Sequence, residues 1–179
     1  GANANDFEVY GLQHEEGTYA TSYIPTYGVS QTRATDTYKK LGFGNTSTEG
    51  TLFIEFEASN LKSSNGMYMY GLAVGTTDLG TSYANSSGAL SIIANGAKIQ
   101  AMNNGYATNL FSFTPSVGEI AKIAIRYDGT NVVGFVNGVK QTTHTDNAVG
   151  VKNSIRVNNG EQSSHDTKQI LFFPTALSD

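Results

Sequence analysis

The sequence predicts an all-β fold, a two-sheet antiparallel sandwich, from three observations. Residues 51–58 place Leu52, Ile54, Phe56 and Ala58 on one face and Glu55 and Glu57 on the other. Residues 120–127 likewise oppose Ala121, Ile123, Ile125 and Tyr127 to Lys122 and Arg126; this two-residue period marks a half-buried strand. Asn95-Gly96 and Asn137-Gly138 each separate two strand-like runs, and Asn-Gly is the favoured type I′ hairpin turn. No window carries a sustained i, i+3, i+4 apolar stripe, and charged residues are only 15% of a chain holding 20 glycines, the profile of short strands and many turns rather than of helices.

Along the chain, Phe7, Val9 and Gly11 alternate with Glu8 and Tyr10 as in one strand. Residues 13–17 make a polar turn, and residues 18–26 an extended stretch where Pro25 forbids a central ladder position and drives Ile24 towards β or polyproline geometry. Residues 1–30 are expected to be an N-terminal strand and extended connector, and residues 31–179 the sandwich. After 51–58 comes a strand at 67–74 whose parity groups Tyr68, Tyr70, Leu72 and Val74. The pair 90–94 and 97–102 around Asn95-Gly96 is the strongest hairpin signal. Residues 120–127 turn at Asp128-Gly129 into 132–136, which turns at Asn137-Gly138 into 139–143; 154–157 and 169–173 close the series. Roughly nine or ten strands and almost no helix are expected, spaced as in a sandwich.

At 179 residues the chain can bury a core without disulfide or metal support. It has no cysteine, which excludes a Cys-based zinc site, a thiol nucleophile and a disulfide framework. A net charge of -4 argues against a general phosphate-backbone binder. No apolar run approaches the roughly 20 residues of a bilayer span, and no basic-then-apolar leader is visible. Beginning at Gly1 rather than Met, the chain is expected to be a processed or excised polypeptide.

Three stretches carry a resemblance. The run from Gln13 to Thr26, Gln-His-Glu-Glu-Gly-Thr-Tyr-Ala-Thr-Ser-Tyr-Ile-Pro-Thr, looks like a connector of many bacteriophage structural proteins, followed as there by a Thr-Arg-Ala-x-Asp motif at 32–36. The strand 120–127 with Asp128-Gly129-Thr130-Asn131, running on to Phe135-Val136-Asn137-Gly138, is similar to paired strands of laminin-G-like, concanavalin A-like jelly rolls. The ending from Thr167 through Phe172-Phe173-Pro174-Thr175 to Ala176-Leu177-Ser178-Asp179 resembles the last strand of the same domains. The ordered set spans nearly the whole chain. It implies a two-sheet antiparallel jelly-roll sandwich of the lectin and glucanase type. It also implies either a virion or tail-fibre module or a carbohydrate-binding, adhesive module on a secreted bacterial protein.

Glu55 and Glu57 share a strand face about 7 Å apart, a separation open to glycoside hydrolysis. The Glu-x-Asp-x-x-Glu glucanase pattern is absent, however, since Glu55-Phe56-Glu57-Ala58-Ser59-Asn60 lacks the Asp and the last Glu. Two solvated acids on an exposed face are the plainer account. Lyases on this fold use a Tyr/His pair with a neutralising Arg or Gln, whereas His14, His144 and His165 lie in polar, turn-like surroundings and read as surface histidines. No Gly-x-Ser-x-Gly elbow and no phosphate loop is present.

Sugar recognition needs aromatic faces beside amides and hydroxyls. The chain has 10 tyrosines and no tryptophan, and tyrosine both stacks and donates a hydrogen bond. The carbohydrate-binding candidates are Tyr83 with Asn85, and Tyr106 with Asn103 and Asn104, in polar stretches between strands, where binding residues concentrate; each tyrosine alternatively anchors its own loop. Tyr68 and Tyr70 read as core. The resemblance brings in calcium as the one cofactor, with Asp78, Asp128 and Asp146 as loop acids available to it, although Asp128-Gly129 is already explained by turn chemistry.

The leading expectation is a non-catalytic, extracellular or virion-surface module that binds a glycan or host-cell polysaccharide, with no nucleic acid and no membrane insertion. The alternatives are a structural virion assembly or decoration protein contacting other subunits, as a homo-oligomer by analogy with phage fibres, and a polysaccharide hydrolase or lyase.

Overall fold

The computed structural model describes residues 38–61, 67–74, 89–95, 98–103, 108–146, 150–157 and 163–178, with His14, Pro25 and 27–29. For 59–61, 67–69, 74, 89, 94–95, 98–99, 102–103, 108 and 163–165 it describes the backbone. Contacts divide the chain into two units, Gly1–Ala34 and Thr35–Asp179. In the first, the described residues include a turn at 27–29 with exposed Tyr27 and Val29.

The second unit is all β among its described residues. Its strands are β1 (Tyr38–Leu41), β2 (Gly50–Leu61), β3 (Met67–Val74), β4 (Ala89–Asn95), β5 (Lys98–Asn103), β6 (Thr108–Phe113), β7 (Ile120–Tyr127), β8 (Asn131–Val136), β9 (Val139–Thr145), β10 (Lys152–Val157) and β11 (Ser163–Phe173). They form a six-stranded sheet in the order β1-β10-β3-β4-β5-β6 and a five-stranded sheet in the order β11-β2-β7-β8-β9. Every pairing is antiparallel.

The core lies between the sheets, and the alternation in the sequence explains its membership. Leu52, Ile54, Phe56 and Ala58 of β2 face Ala121, Ile123, Ile125 and Tyr127 of β7 within the five-stranded sheet, while Tyr70, Leu72, Leu90, Ile92 and Ala101 come from the other sheet. Burying each large aliphatic or aromatic side chain contributes about 1.5–3 kcal/mol. Gly134 of β8 belongs to the same inner face, opposite Ile125. A Cβ there would run into the Phe111 ring of β6, so the missing side chain is what lets the two sheets close at that point.

Three local features depart from a strict two-residue period. Between Ala101 and Met102 the β5–β6 register shifts, so Phe111 opposes Ala101 and Asn109 opposes Met102. The extra residue, Leu110, is buried alongside its neighbour Phe111; two adjacent inward residues disguise β6 as a loop in a periodicity search. Strand β1 has all four residues exposed, so it presents no buried face to detect. In β3 the register opposes Tyr68 to Ile93 but Tyr70 to Ile92. The β3–β4 register shifts between these two positions. Tyr70 itself is core, and its hydroxyl lies 2.9 Å from Thr167 Oγ1.

Candidate functional site

Two regions of the sandwich have chemistry beyond packing: the edge of the six-stranded sheet where β3, β5 and β1 end, and the outward face of that same sheet.

At the edge, a bulge decides the geometry. Lys152 opposes Val74 and Ser154 opposes Ala73, which leaves Asn153 as an extra residue. Bulges re-aim the side chains beside them. Without this one, Lys152 would share the outward parity of Ser154 and Arg156; with it, Lys152 turns in between the sheets. The segment after β1 fixes the bulge. Phe43 N donates to Asn153 O at 3.0 Å, Asn45 N donates to Asn153 Oδ1 at 2.9 Å, and Asn45 Nδ2 donates to Lys152 O at 3.0 Å.

Inside, Lys152 Nζ lies 3.0 Å from Asp146 Oδ2, with both side chains fully shielded. The ammonium also stands 3.9 Å from the centroid of the Tyr127 ring, a cation–π contact. Burial pulls the Lys152 ammonium below its usual range, and Asp146 opposes that pull. Burial first, and then the charge of Asp146, push the Tyr127 phenol up. The Tyr127 hydroxyl is buried with no hydrogen-bond partner. Asp146, one of the loop acids available to calcium by the sequence reading, already faces an ammonium. Asp128 is likewise engaged: its Oδ1 accepts from Asn131 N at 2.7 Å and from Thr130 N at 2.9 Å. These two bonds, that from Asn131 first, hold its carboxyl below the usual range. Among the described residues no three acidic or imidazole groups converge as a metal site would require.

The outward face is a polar ladder. Lys39 opposes Arg156, Arg156 opposes Gly71, Gly71 opposes Ser91, Ser91 opposes Met102 and Met102 opposes Asn109. One row along, Ile93 opposes Gln100 and Gln100 opposes Ser112. Directly opposed residues of antiparallel strands share a face, and the parity of these rows is opposite to that of Tyr70, Leu72, Leu90 and Ile92 in the core. The middle of the face is closed to solvent, with Ala73, Ser91, Ile93 and Ser154 buried, while Lys39, Asn109 and Ser112 at its flanks are exposed. Ser91 Oγ, in that closed floor, has no hydrogen-bond partner. A buried hydroxyl left so costs about 1–3 kcal/mol.

The residues singled out from the sequence fall as follows. Tyr83, Asn85, Asn104, Tyr106 and Asp78 lie outside the described residues. Asn103 ends β5 opposite Leu90 and Thr108. Strands β3 and β5 end, and β4 and β6 begin, at the same edge of the sheet, so the two candidate stretches connect strand ends on one side. Glu55 and Glu57 face outward from the five-stranded sheet. Glu57 Oε2 is 2.9 Å from Lys168 Nζ, and Glu55 opposes Gln169 and Lys122. This is a charge-paired sheet surface. His144 and His165 belong to the edge strands β9 and β11, not to turns as expected, while His14 is exposed.

Arg156, Ser91, Gln100, Lys39 and Asn109 were not singled out from the sequence. Their signal is parity: Ser91 lies between Leu90 and Ile92, and Arg156 between Ile155 and Val157. Parity alone does not say which strands are neighbours.

Solved structures share this architecture. A carbohydrate esterase from a Shiga toxin-encoding bacteriophage superposes with a TM-score of 0.54 at 16% identity, covering 76% of this chain and 73% of that one. An alginate lyase gives 0.51 at 11%, covering 76% and 62%. A heptameric pentraxin from Limulus polyphemus gives 0.50 at 10%, covering 80% and 78%. The fold is a concanavalin A-like jelly roll. No protein-family model and no curated protein sequence matches the chain. At these identities the likeness is one of fold, and a single jelly roll hosts many functions.

Proposed function

We propose that this jelly roll is a non-catalytic carbohydrate-binding module, borne outside the cell or on a virion surface, that presents the outward face of its six-stranded sheet to a glycan. The observation that carries the reading is the ladder from Lys39 to Asn109, with Lys39, Asn109 and Ser112 exposed at its flanks. It spans five interstrand steps, roughly 24 Å, the reach of an oligosaccharide rather than of one ring. Gln100, Asn109 and Ser112 supply the amides and the hydroxyl that sugar hydroxyls pair with. The esterase and lyase among the structural neighbours act on carbohydrates by their descriptions, which supports the same ligand class.

The non-catalytic part of the reading rests on the carboxylates. Glu55 and Glu57 are engaged on the opposite sheet, and none of the strands under the ladder carries an acid.

A glycan array tests the proposal. The full chain is expected to bind a defined set of glycans, and Arg156→Gln with Gln100→Ala is expected to abolish it. No binding across a broad array defeats the reading. Binding that survives this pair but is lost in Tyr83→Ala with Tyr106→Ala moves the site to the loops.

A further inference from the structure

We infer that the outward face of the five-stranded sheet is the interface of a two-fold dimer, its occupant a second copy of this chain. Strand pairing lays an apolar row across four strands of that face. Leu171 of β11 opposes Phe53 of β2, Phe53 opposes Ala124 of β7, and Ala124 opposes Phe135 of β8. Leu171 is 37% exposed, and Phe53, Ala124 and Phe135 are half-buried. A contiguous apolar patch open to solvent marks an interaction surface. The next row along the strands is polar: Gln169 opposes Glu55, and Glu55 opposes Lys122. Glu57 is held by Lys168. Among the described residues, neither the Glu55 carboxylate nor the exposed Lys122 ammonium closes an ion pair. At the far end the C-terminal segment borders the face, where Leu177 N donates to Thr51 Oγ1 and Arg126 Nη1 donates to Leu177 O, each at 3.1 Å.

A second copy is the occupant because these rows complement themselves. A two-fold axis lying in the interface, parallel to the strands and midway between β2 and β7, exchanges β2 with β7 and β11 with β8 and keeps each row on itself. Glu55 of each copy then faces Lys122 of the other, so four charges alternate in sign around the axis. In the apolar row, Phe53 faces Ala124 of the other copy, a large side chain over a small one, and Leu171 faces Phe135. Such self-complementarity is what a two-fold interface requires. The strands of the two copies stay close to parallel, the aligned mode of sheet packing. Five strands about 4.8 Å apart, with four outward positions about 6.7 Å apart, give a face of roughly 650 Å2. That is close to the roughly 800 Å2 that each partner of a standard interface buries, and fits a specific but reversible dimer. The six-stranded sheets of the two copies point away from each other and stay open, so the dimer stands whether or not that sheet binds a glycan.

Sedimentation equilibrium of the full chain tests this. A monomer–dimer equilibrium with a dissociation constant below about 100 μM is expected over a series from about 5 to about 500 μM chain. Ala124→Arg fills the small site under Phe53, and Glu55→Lys or Lys122→Glu alone sets like charges across the axis. Each is expected to weaken the dimer about tenfold or more, since like-charge juxtaposition suppresses a pairing. Glu55→Lys with Lys122→Glu in one chain exchanges the two charges and keeps their alternation, and is expected to restore dimerisation to within about threefold of the unaltered chain. Circular dichroism checks that each variant is folded; Lys122 is exposed, so Lys122→Glu and the double exchange decide the matter if another variant fails to fold. A chain that remains monomeric at about 500 μM overturns the inference. So does a dimer that every one of these variants leaves intact, which places the contact elsewhere, and so does a double exchange that associates no better than the single changes.

Discussion

Lys152 Nζ lies 3.0 Å from Asp146 Oδ2, and neither side chain touches solvent. The pair joins β10 of one sheet to the end of β9 in the other, so it ties the sandwich together at the edge where β3 and β5 end. Removing one partner strands a buried charge, which costs about 3–5 kcal/mol, whereas replacing both with apolar residues of similar volume is neutral or stabilising. Lys152→Ala and Asp146→Ala are each expected to lower stability in urea unfolding by that amount, and Lys152→Met with Asp146→Leu to recover most of it.

The two buried tyrosines are expected to respond oppositely to loss of the hydroxyl. Tyr70 bonds Thr167, so Tyr70→Phe is expected to cost about 1 kcal/mol. The Tyr127 hydroxyl has no partner, so Tyr127→Phe is expected to leave stability unchanged or raise it by about 1 kcal/mol. Chemical denaturation of both variants checks the contrast.

Alkaline stability follows from the same residues. Burial raises the Tyr70 and Tyr127 phenols above their ordinary value of 10.0. A group whose folded pKa is raised gives stability that is complete below the unfolded value and lost as pH climbs through the folded one. Stability is therefore expected to decline above pH 10, and Tyr70→Phe with Tyr127→Phe to flatten that decline. Lys152 acts in the other direction. Its folded pKa is lowered from 10.5, so its cost is in force at low pH and fades as pH rises towards that value. Lys152→Met is expected to remove this rising limb in a pH series of unfolding curves.

Gly134 makes room for Phe111 across the sandwich. Gly134→Ala is expected to cost about 1–3 kcal/mol through overpacking, and Phe111→Leu in the same chain to return part of it. A double-mutant cycle by thermal unfolding reads the coupling.

Glu55 and Glu57 lie on the sheet opposite the proposed site, with Glu57 held by Lys168. Glu55→Gln and Glu57→Gln are expected to leave glycan binding unchanged, and no hydrolysis is expected in a reducing-end assay of the unaltered chain.

The sandwich was legible because most core strands alternate cleanly. Leu52, Ile54 and Phe56, and Ala121, Ile123 and Ile125, announce themselves by period alone. Strand β6 was hidden by a bulge that buries Leu110 and Phe111 side by side, and β1 by exposure of all its residues.

The candidate site was less legible for a different reason. Lys39, Gly71, Ser91 and Arg156 are far apart in sequence and become a row only through the order β1-β10-β3-β4. That order is a property of long-range pairing, which no local pattern encodes. The inward turn of Lys152 depends on a bulge held by Asn45, more than a hundred positions away in the chain.

The most direct test of the central claim is a titration of the isotopically labelled chain with the oligosaccharide that binds most tightly on the glycan array, followed by amide chemical shifts. The account predicts changes concentrated at Gly71, Ser91, Gln100, Asn109 and Arg156, with Phe53, Ala124 and Phe135 on the opposite sheet unmoved. Changes centred on that second group, with the Gly71–Ser91 row silent, would contradict it.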